Sequence, residues 1–434
     1  MNTERLRDTI RQELDFARMQ TDRLFEVLAP AAIHERPIPE RHRIIFYLGH
    51  LEAFDWNMVC RTSFGMPSFN ADFDRLFEFG IDPVDGKLPQ DVPGDWPAVR
   101  EILSYKDRVR DKVDRLLERA TFDGAAEPFV EGGQIFHVAI EHRLMHAETL
   151  SYMFQWLDGA LKRQVPSLDG SRTKQRDVLP HPKSVRIPGG FATLGQDRQQ
   201  ESFGWDNEFQ AHSVFVPEFS IDAYDVTNHQ FLEFVQADGY NERSFWTNED
   251  WGWIQQSGIR HPRFWIPRGE RWFYRNMFEE IPLPGSWPVY VSYAEASAYA
   301  RWKGKSIPTE PQYHRAAFGS PDGTERMAHA QGNFNFRSWS PEPAGASPEA
   351  VSPFGVFDLV GNGWEWTSSL FAPFDGFQRF PFYPGYSADF FDGKHYVLKG
   401  ASPRTASLLT RRSFRNWFQP HYPYIYATFR CVEN

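Results

Sequence analysis

Two histidines four residues apart, His142 and His146 in the stretch IEHRLMHAETL, are the residues best spaced to do chemistry. The run around them, from Gln134 to Leu157, holds few helix breakers. In a helix an i, i+4 pair projects from one face, so the two imidazoles can share a metal ion. The H-x3-H pattern is common, and a metal site needs a third ligand from another element. His50 is available for that role: it lies in a mostly apolar segment beside Leu48, Leu51 and Phe54, where a lone imidazole is either a hydrogen-bonded core residue or a ligand. Three neutral imidazoles with open positions suit Zn, Cu, Fe or Ni. Only Cys60 and Cys431 are present, which leaves no disulfide framework and no thiolate cluster. Any metal is therefore held by His and carboxylate.

The elements that must position these side chains are legible from periodicity. Leu6, Ile10, Leu14, Ala17, Leu24 and Leu28 recur mostly at three- and four-residue intervals, which predicts an amphipathic helix from Thr3 to about Leu28. Further helices are predicted over Ile44 to Thr62, carrying His50, over Val99 to Arg119, and over Gln134 to Leu157, carrying the histidine pair. Four such helices predict a four-helix bundle, in which facing side chains build metal sites in the core. Beyond it the pattern changes. Residues 166–185, with Pro166, Pro180 and Pro182, read as a linker between a bundle at 1–165 and a second domain at 186–434. That second domain is rich in Pro, Gly and aromatics and alternates short strands with short helices, one of them capped by Thr227 or Asn228.

A chain of 434 residues is long enough for two or three domains, and its 24% charged and 41% hydrophobic residues are those of a soluble globular protein. The net charge of −10 argues against nucleic acid as a partner, since a basic stripe is missing. No apolar run approaches the roughly 20 residues of a membrane span. The start, MNTERLRDTI, is charged where a signal peptide would be apolar, so a cytoplasmic location is expected.

Several motifs converge on known families. IPGGF at 187–191, DVTNHQFLEFV at 225–235, SIPTEPQYHRAA at 306–317, GNGWEW at 361–366 and the closing FRNW at 414–417 resemble the formylglycine-generating-enzyme-like domain. That resemblance implies a loop-rich mixed domain of the C-type-lectin-like kind. FYLGH at 46–50 and EHRLMHAETL at 141–150 resemble a DinB-like four-helix bundle. The pairing, an α+β chain with the bundle first, is similar to the EgtB-type sulfoxide synthases of ergothioneine biosynthesis. These are mononuclear non-haem iron enzymes that use O2 to join a thiol sulfur to the imidazole of hercynine and oxidise it to a sulfoxide.

Residue by residue, the resemblance implies Fe(II) on His50, His142 and His146, and hercynine at Asn416 and Trp417. There an amide can bind polar groups and an indole face can hold a trimethylammonium. The family's acid-base tyrosine lies in a Y-x-x-Y-S segment, here FYPGYSADFF, which places Tyr383 in the catalytic position and Tyr386 second. Tyr105 on the third bundle helix is an alternative, because some members supply the tyrosine from there.

The sequence departs from the pattern at the sulfur donor. Members that use γ-glutamylcysteine carry an Asp and an Arg where this chain has Phe418 and Tyr422. Charge-assisted contacts are worth about 1.5–3 kcal/mol each, so their loss argues against that dipeptide. Free cysteine remains open, and so does a seleno-sugar, the donor of the related selenoneine synthases, which Gln419 and His421 in an aromatic pocket would suit. Arg108 and Arg110 are candidates to bind a donor carboxylate. Two other readings compete: formylglycine generation, which needs a reactive cysteine pair, and a non-catalytic lectin-like binding protein, which needs no histidine triad.

Overall fold

A computed structural model describes residues 3–78, 90–163, 177–198, 203–326 and 331–433. The chain divides into two compact units, Met1–Pro166 and Ser167–Asn434. The greater part of the proposed linker, including Pro166, lies outside the described residues.

The first unit is helical. Its long helices are α1 (Thr3–Glu26), α2 (Ile44–Asp55), α4 (Val99–Arg119) and α5 (Gln134–Gln155), with a short α3 (Ala71–Leu76) between α2 and α4. Helix α4 buries Ile102, Tyr105, Val109, Val113 and Leu117, a single stripe at three- and four-residue spacing. Helix α1 does the same with Leu6, Ile10, Leu14, Ala17 and Leu24. Helices α2 and α5 differ. Every residue of α2 is buried, and so is almost all of α5, as expected of helices enclosed on all sides. Helix α1 packs on α5, and α2 packs on both α4 and α5. Helix α2 does not stop at Asp55 but continues as a π-helical stretch, Trp56–Ser63, a wider winding common beside functional sites.

Charged residues inside these apolar helices pair with one another. The fully buried Arg143 of α5 donates to both Glu52 oxygens at 3.1 and 3.0 Å, to Asp55 at 2.6 Å and to the Leu51 carbonyl at 3.0 Å, all on α2. Arg110 of α4 joins at Glu52 and continues to Asp22 of α1 at 2.7 and 2.9 Å. Burial alone would push the Glu52 carboxyl up; Arg143 and Arg110 outweigh it and hold it at about 2. The network thus locks the register of the two helices that carry His50 and the His142/His146 pair.

The second unit is mixed and loop-rich, so the chain is α+β with the helical unit first. Four short helices, α6 (Asn228–Gln236), α7 (Asn248–Ser257), α8 (Tyr293–Trp302) and α9 (Glu310–Phe318), begin at Thr227, Thr247, Ser292 and Thr309. Each cap side chain accepts from the backbone N–H three residues on, and Gln230, Glu295 and Gln312 complete capping boxes. Thr227, rather than Asn228, is the cap of α6.

The four-stranded sheet runs in the order Asn416–Phe418, Tyr396–Ala401, Gly363–Leu370, Ala427–Thr428, antiparallel except for the last pair. A three-stranded sheet pairs Phe219–Asp222 with Ser184–Ile187 on one side and Val432–Glu433 on the other, bringing the two ends of the unit together. Helix α9 supplies Tyr313, Ala316, Ala317 and Phe318 to the apolar core between these elements. Arg430 is fully buried and paired with Glu365 at 2.7 Å and Asp225 at 3.0 Å.

Candidate metal centre and substrate-facing residues

Helix α5 places His142 and His146 one turn apart with their Nε2 atoms 3.2 Å from each other. Helix α2 brings His50 alongside, its ring centroid 5.2 Å from His142 and 4.9 Å from His146. One ligand atom from each of the three lies within 4.8 Å of the others, and all three residues are buried. Two nitrogens each about 2.0–2.1 Å from one ion stand about 3.0–3.4 Å apart, so the observed separation is that of a pair able to share a cation. Burial drives the His50 imidazole down to about 4, partly offset by its hydrogen bond to the Phe77 carbonyl. His142 and His146 are held well below the usual histidine range, by burial first, then by the other imidazoles of the triad, which would repel a second proton, and by nearby arginines. All three rings are therefore neutral near pH 7, the form that binds a metal.

Apolar rings enclose the triad. Phe54, one turn after His50, lies flat against His142 at 3.4 Å between centroids. Phe46, one turn before, stacks on His50 at 4.8 Å, and the Tyr47 ring is 5.7 Å from His146. Phe54 stood out in the sequence as a neighbour of His50, whereas Phe46 and Tyr47 were not singled out there. The Nδ1 atoms of His142 and His146 are buried without a protein hydrogen-bond partner. His50 differs, with Nδ1 2.7 Å from the Phe77 carbonyl.

The other first-unit candidates lie elsewhere in the unit. Tyr105 is buried, donates its hydroxyl to Asp74 at 2.8 Å and packs against Phe69 and Phe73 rather than the triad. Burial and the Asp74 carboxylate both push its phenol up, so it is not poised to lose a proton. Arg110 is paired with Asp22 and Glu52, so its charge holds helices together. Arg108 is exposed, with its guanidinium 4.0 Å above the Phe69 ring.

In the second unit Asn416 and Trp417 open the edge strand of the four-stranded sheet. The segment leading to them is anchored by the buried Lys399, which donates to the carbonyls of Arg412, at 2.9 Å, and Phe414. Arg415, just before Asn416, is paired with Glu310 at 3.1 and 3.2 Å. Asn416 Oδ1 accepts the Trp417 N–H at 2.9 Å, which leaves the amide NH2 as the group it can offer a ligand. Trp417 stacks on Phe371 at 4.1 Å and meets Tyr386 edge-on at 5.4 Å and Phe390 at 5.6 Å. Tyr386 in turn stacks on Trp205 at 3.9 Å and lies 5.6 Å from Tyr383. The structure thus joins Tyr383, Tyr386, Trp417 and Asn416 in one aromatic cluster. Burial, with a smaller contribution from Asp206, raises the Tyr383 phenol to about 12, so it carries its proton at neutral pH.

The residues that follow are also aromatic. Phe418 and Tyr422 stack face to face at 5.4 Å. His421 bonds Asp250 at 2.8 Å and stacks on Trp253 at 4.9 Å, while Gln419 is exposed. Asp250 and Trp253 lie in α7, far away in sequence, and no motif pointed to them. Cys60 and Cys431 are both buried and belong to different units, and burial pushes both thiols up. A reactive cysteine pair is not formed by these two residues. No helix among the described residues is long and apolar enough to cross a membrane.

Residues 170–434 match the sulfatase-modifying factor enzyme 1-like domain, and residues 13–150 match the DinB superfamily. The chain is 31% identical over 442 residues to a hercynine oxygenase of Mycolicibacterium smegmatis, an alignment covering 95% of this chain and 96% of that protein. It is 33% identical over 375 residues to the hercynine oxygenase of Mycolicibacterium thermoresistibile, covering 83% and 79%. Identity to ergothioneine biosynthesis protein 1 of Neurospora crassa is 28% over 502 residues. That alignment takes in 94% of this chain but 56% of the fungal protein, so the chain spans little more than half of that relative.

Proposed function

The chain belongs to the family of the hercynine oxygenases and carries a sulfatase-modifying factor enzyme 1-like domain over more than half its length, and from that premise we propose that it is an oxidoreductase that forms a carbon–chalcogen bond to hercynine. The observation that carries this reading is the set of three buried histidines, each offering one ring nitrogen within 4.8 Å of those of the other two. In the sulfur reaction an imidazole C–H and a thiol S–H are replaced by C–S and S=O, with one O2 consumed and one water released.

His50, His142 and His146 would hold Fe(II), which supplies O2 activation and a binding point for the chalcogen when bound. The remaining roles fall to side chains of the second unit. The face of Trp417 and the rings around it offer cation–π attraction to a trimethylammonium, and the amide NH2 of Asn416 suits an acceptor group of hercynine. Tyr383 keeps its phenolic proton at neutral pH, so it acts as donor of a proton or hydrogen atom to the reacting centre.

A specific observation bears on the donor. Phe418 and Tyr422, whose rings stack at 5.4 Å, stand where the family resemblance implies charged side chains that grip γ-glutamylcysteine. An aromatic surface favours an uncharged donor, which supports the second reading, C–Se bond formation with a seleno-sugar; free cysteine, a zwitterion, is the thiol candidate because it lacks the γ-glutamyl group that the missing charged side chains would bind. The test is to incubate the Fe(II)-loaded chain with hercynine, O2 and each of cysteine, γ-glutamylcysteine and a seleno-sugar, and to read product masses. A coupled product with cysteine or the seleno-sugar is expected; coupling with none of the three would overturn the synthase reading.

A further inference from the structure

His50 is held from outside its own helix. A carbonyl oxygen only accepts, so the 2.7 Å contact with Phe77 O puts the His50 proton on Nδ1 and leaves Nε2 as the nitrogen free to bind an ion. Phe77 follows α3 directly, as its C-cap residue. Its ring lies against α2 at Gly49, where a Cβ would come within 2.5 Å of the Cε and Cζ atoms. Glycine inside a helix costs about 1 kcal/mol relative to alanine. Here it permits the close approach that lets the Phe77 carbonyl reach the very next residue of α2, His50.

Helix α3 is itself tied down. Its buried Asp74 accepts Trp56 Nε1 at 3.1 Å from the π-helical stretch, Ser68 Oγ at 2.6 Å and the Tyr105 hydroxyl at 2.8 Å from α4. Trp96 stacks on the Phe77 ring at 6.0 Å.

We infer that α3 is a clamp on the metal centre: Gly49, Phe77 and Asp74 are positioning residues that fix the tautomer and aim of His50, and Tyr105 acts through Asp74. This rests on the histidine triad being the metal site, and the two claims fail in different ways. Partners that orient a metal-binding histidine typically contribute about 10–100-fold to affinity.

The test is Zn(II) affinity of the full chain by chelator competition, read beside thermal unfolding of the metal-free protein. Wild type is expected to bind Zn(II) and His142→Ala to lose it. If His142→Ala binds like wild type, the triad reading itself falls. Gly49→Ala is expected to weaken binding about 10-fold or more, and Gly49→Ala with Phe77→Leu, which removes the obstructing ring atoms, to regain most of it. Unchanged affinity in Gly49→Ala, or no recovery in the double variant, overturns the clamp and leaves the triad standing. Should Gly49→Ala not fold, Tyr105→Phe decides: it deletes one hydroxyl from Asp74 and is expected to weaken Zn(II) binding about threefold or more, and an unaltered affinity overturns the inference.

Discussion

A neutral imidazole is the form a metal binds, and burial keeps His50, His142 and His146 in that form. Replacing His146 by Ala removes one of the three proposed ligands and is expected to abolish stoichiometric iron binding, checked by metal analysis after anaerobic loading. Tyr383→Phe keeps the ring and deletes the proton, so coupled product should fall and simple oxidation of the donor should rise; an unchanged product ratio by mass spectrometry would remove Tyr383 from the reaction. A different titration governs stability. Asp358 is buried and its carboxyl is raised to about 6, chiefly by desolvation, although it accepts the Gly345 N–H at 2.6 Å. Between its ordinary value of 3.8 and about 6 the folded chain keeps a proton that the unfolded chain has lost. Stability therefore falls as pH rises through that window, and the cost, up to about 3 kcal/mol, is fully present above it. Asp358→Asn can still accept the Gly345 N–H, and its denaturation midpoint should exceed wild type at pH 7.5 by an amount that shrinks toward pH 4.

At the scale of elements, the two helices bearing the triad are the two that are buried on nearly every side, and the Arg143 network sets their register. Glu52→Gln leaves Arg143 and Arg110 underpaired in the interior and is expected to cost about 3–5 kcal/mol, measured by urea unfolding of the metal-free chain. Removing the exposed Arg75, paired with its neighbour Asp72 across one turn, should change nothing measurable. The long helices were legible because α1 and α4 repeat their apolar residues at helical spacing, and α2 and α5 are long apolar runs. The charges inside α2 and α5, Glu52, Asp55 and Arg143, were a readable sign of a buried network, since such groups must find partners. Helix α3 was not legible: six residues make too short a stripe, and the group it contributes, the Phe77 carbonyl, has no side-chain signature. The π-helical winding after Asp55 escaped for the same reason. In the second unit the Thr227, Ser292 and Thr309 caps follow from Ser/Thr three residues before Gln or Glu, whereas the sheet order does not. Strands of two to six residues such as Ala427–Thr428 and Tyr396–Ala401 carry too little alternation to reveal their partners.

For the molecule as a whole, the three histidines and the groups found against them, Phe46, Phe54 and Phe77, all belong to the unit Met1–Pro166. A chain ending at Pro166 is therefore expected to retain metal affinity within about tenfold of the full chain while losing hercynine-dependent turnover, since Asn416, Trp417 and Tyr383 belong to the second unit. A folded fragment, judged by circular dichroism, that binds no metal would show that the triad does not suffice alone. The central claim, that this triad is an iron centre serving a reaction of hercynine, is tested most directly by oxygen uptake of the Fe(II)-loaded full chain, with and without hercynine, beside His50→Ala. The account predicts uptake in the presence of a thiol or selenol donor that rises on adding hercynine and disappears in His50→Ala; uptake indifferent to hercynine, or undiminished in His50→Ala, would contradict it.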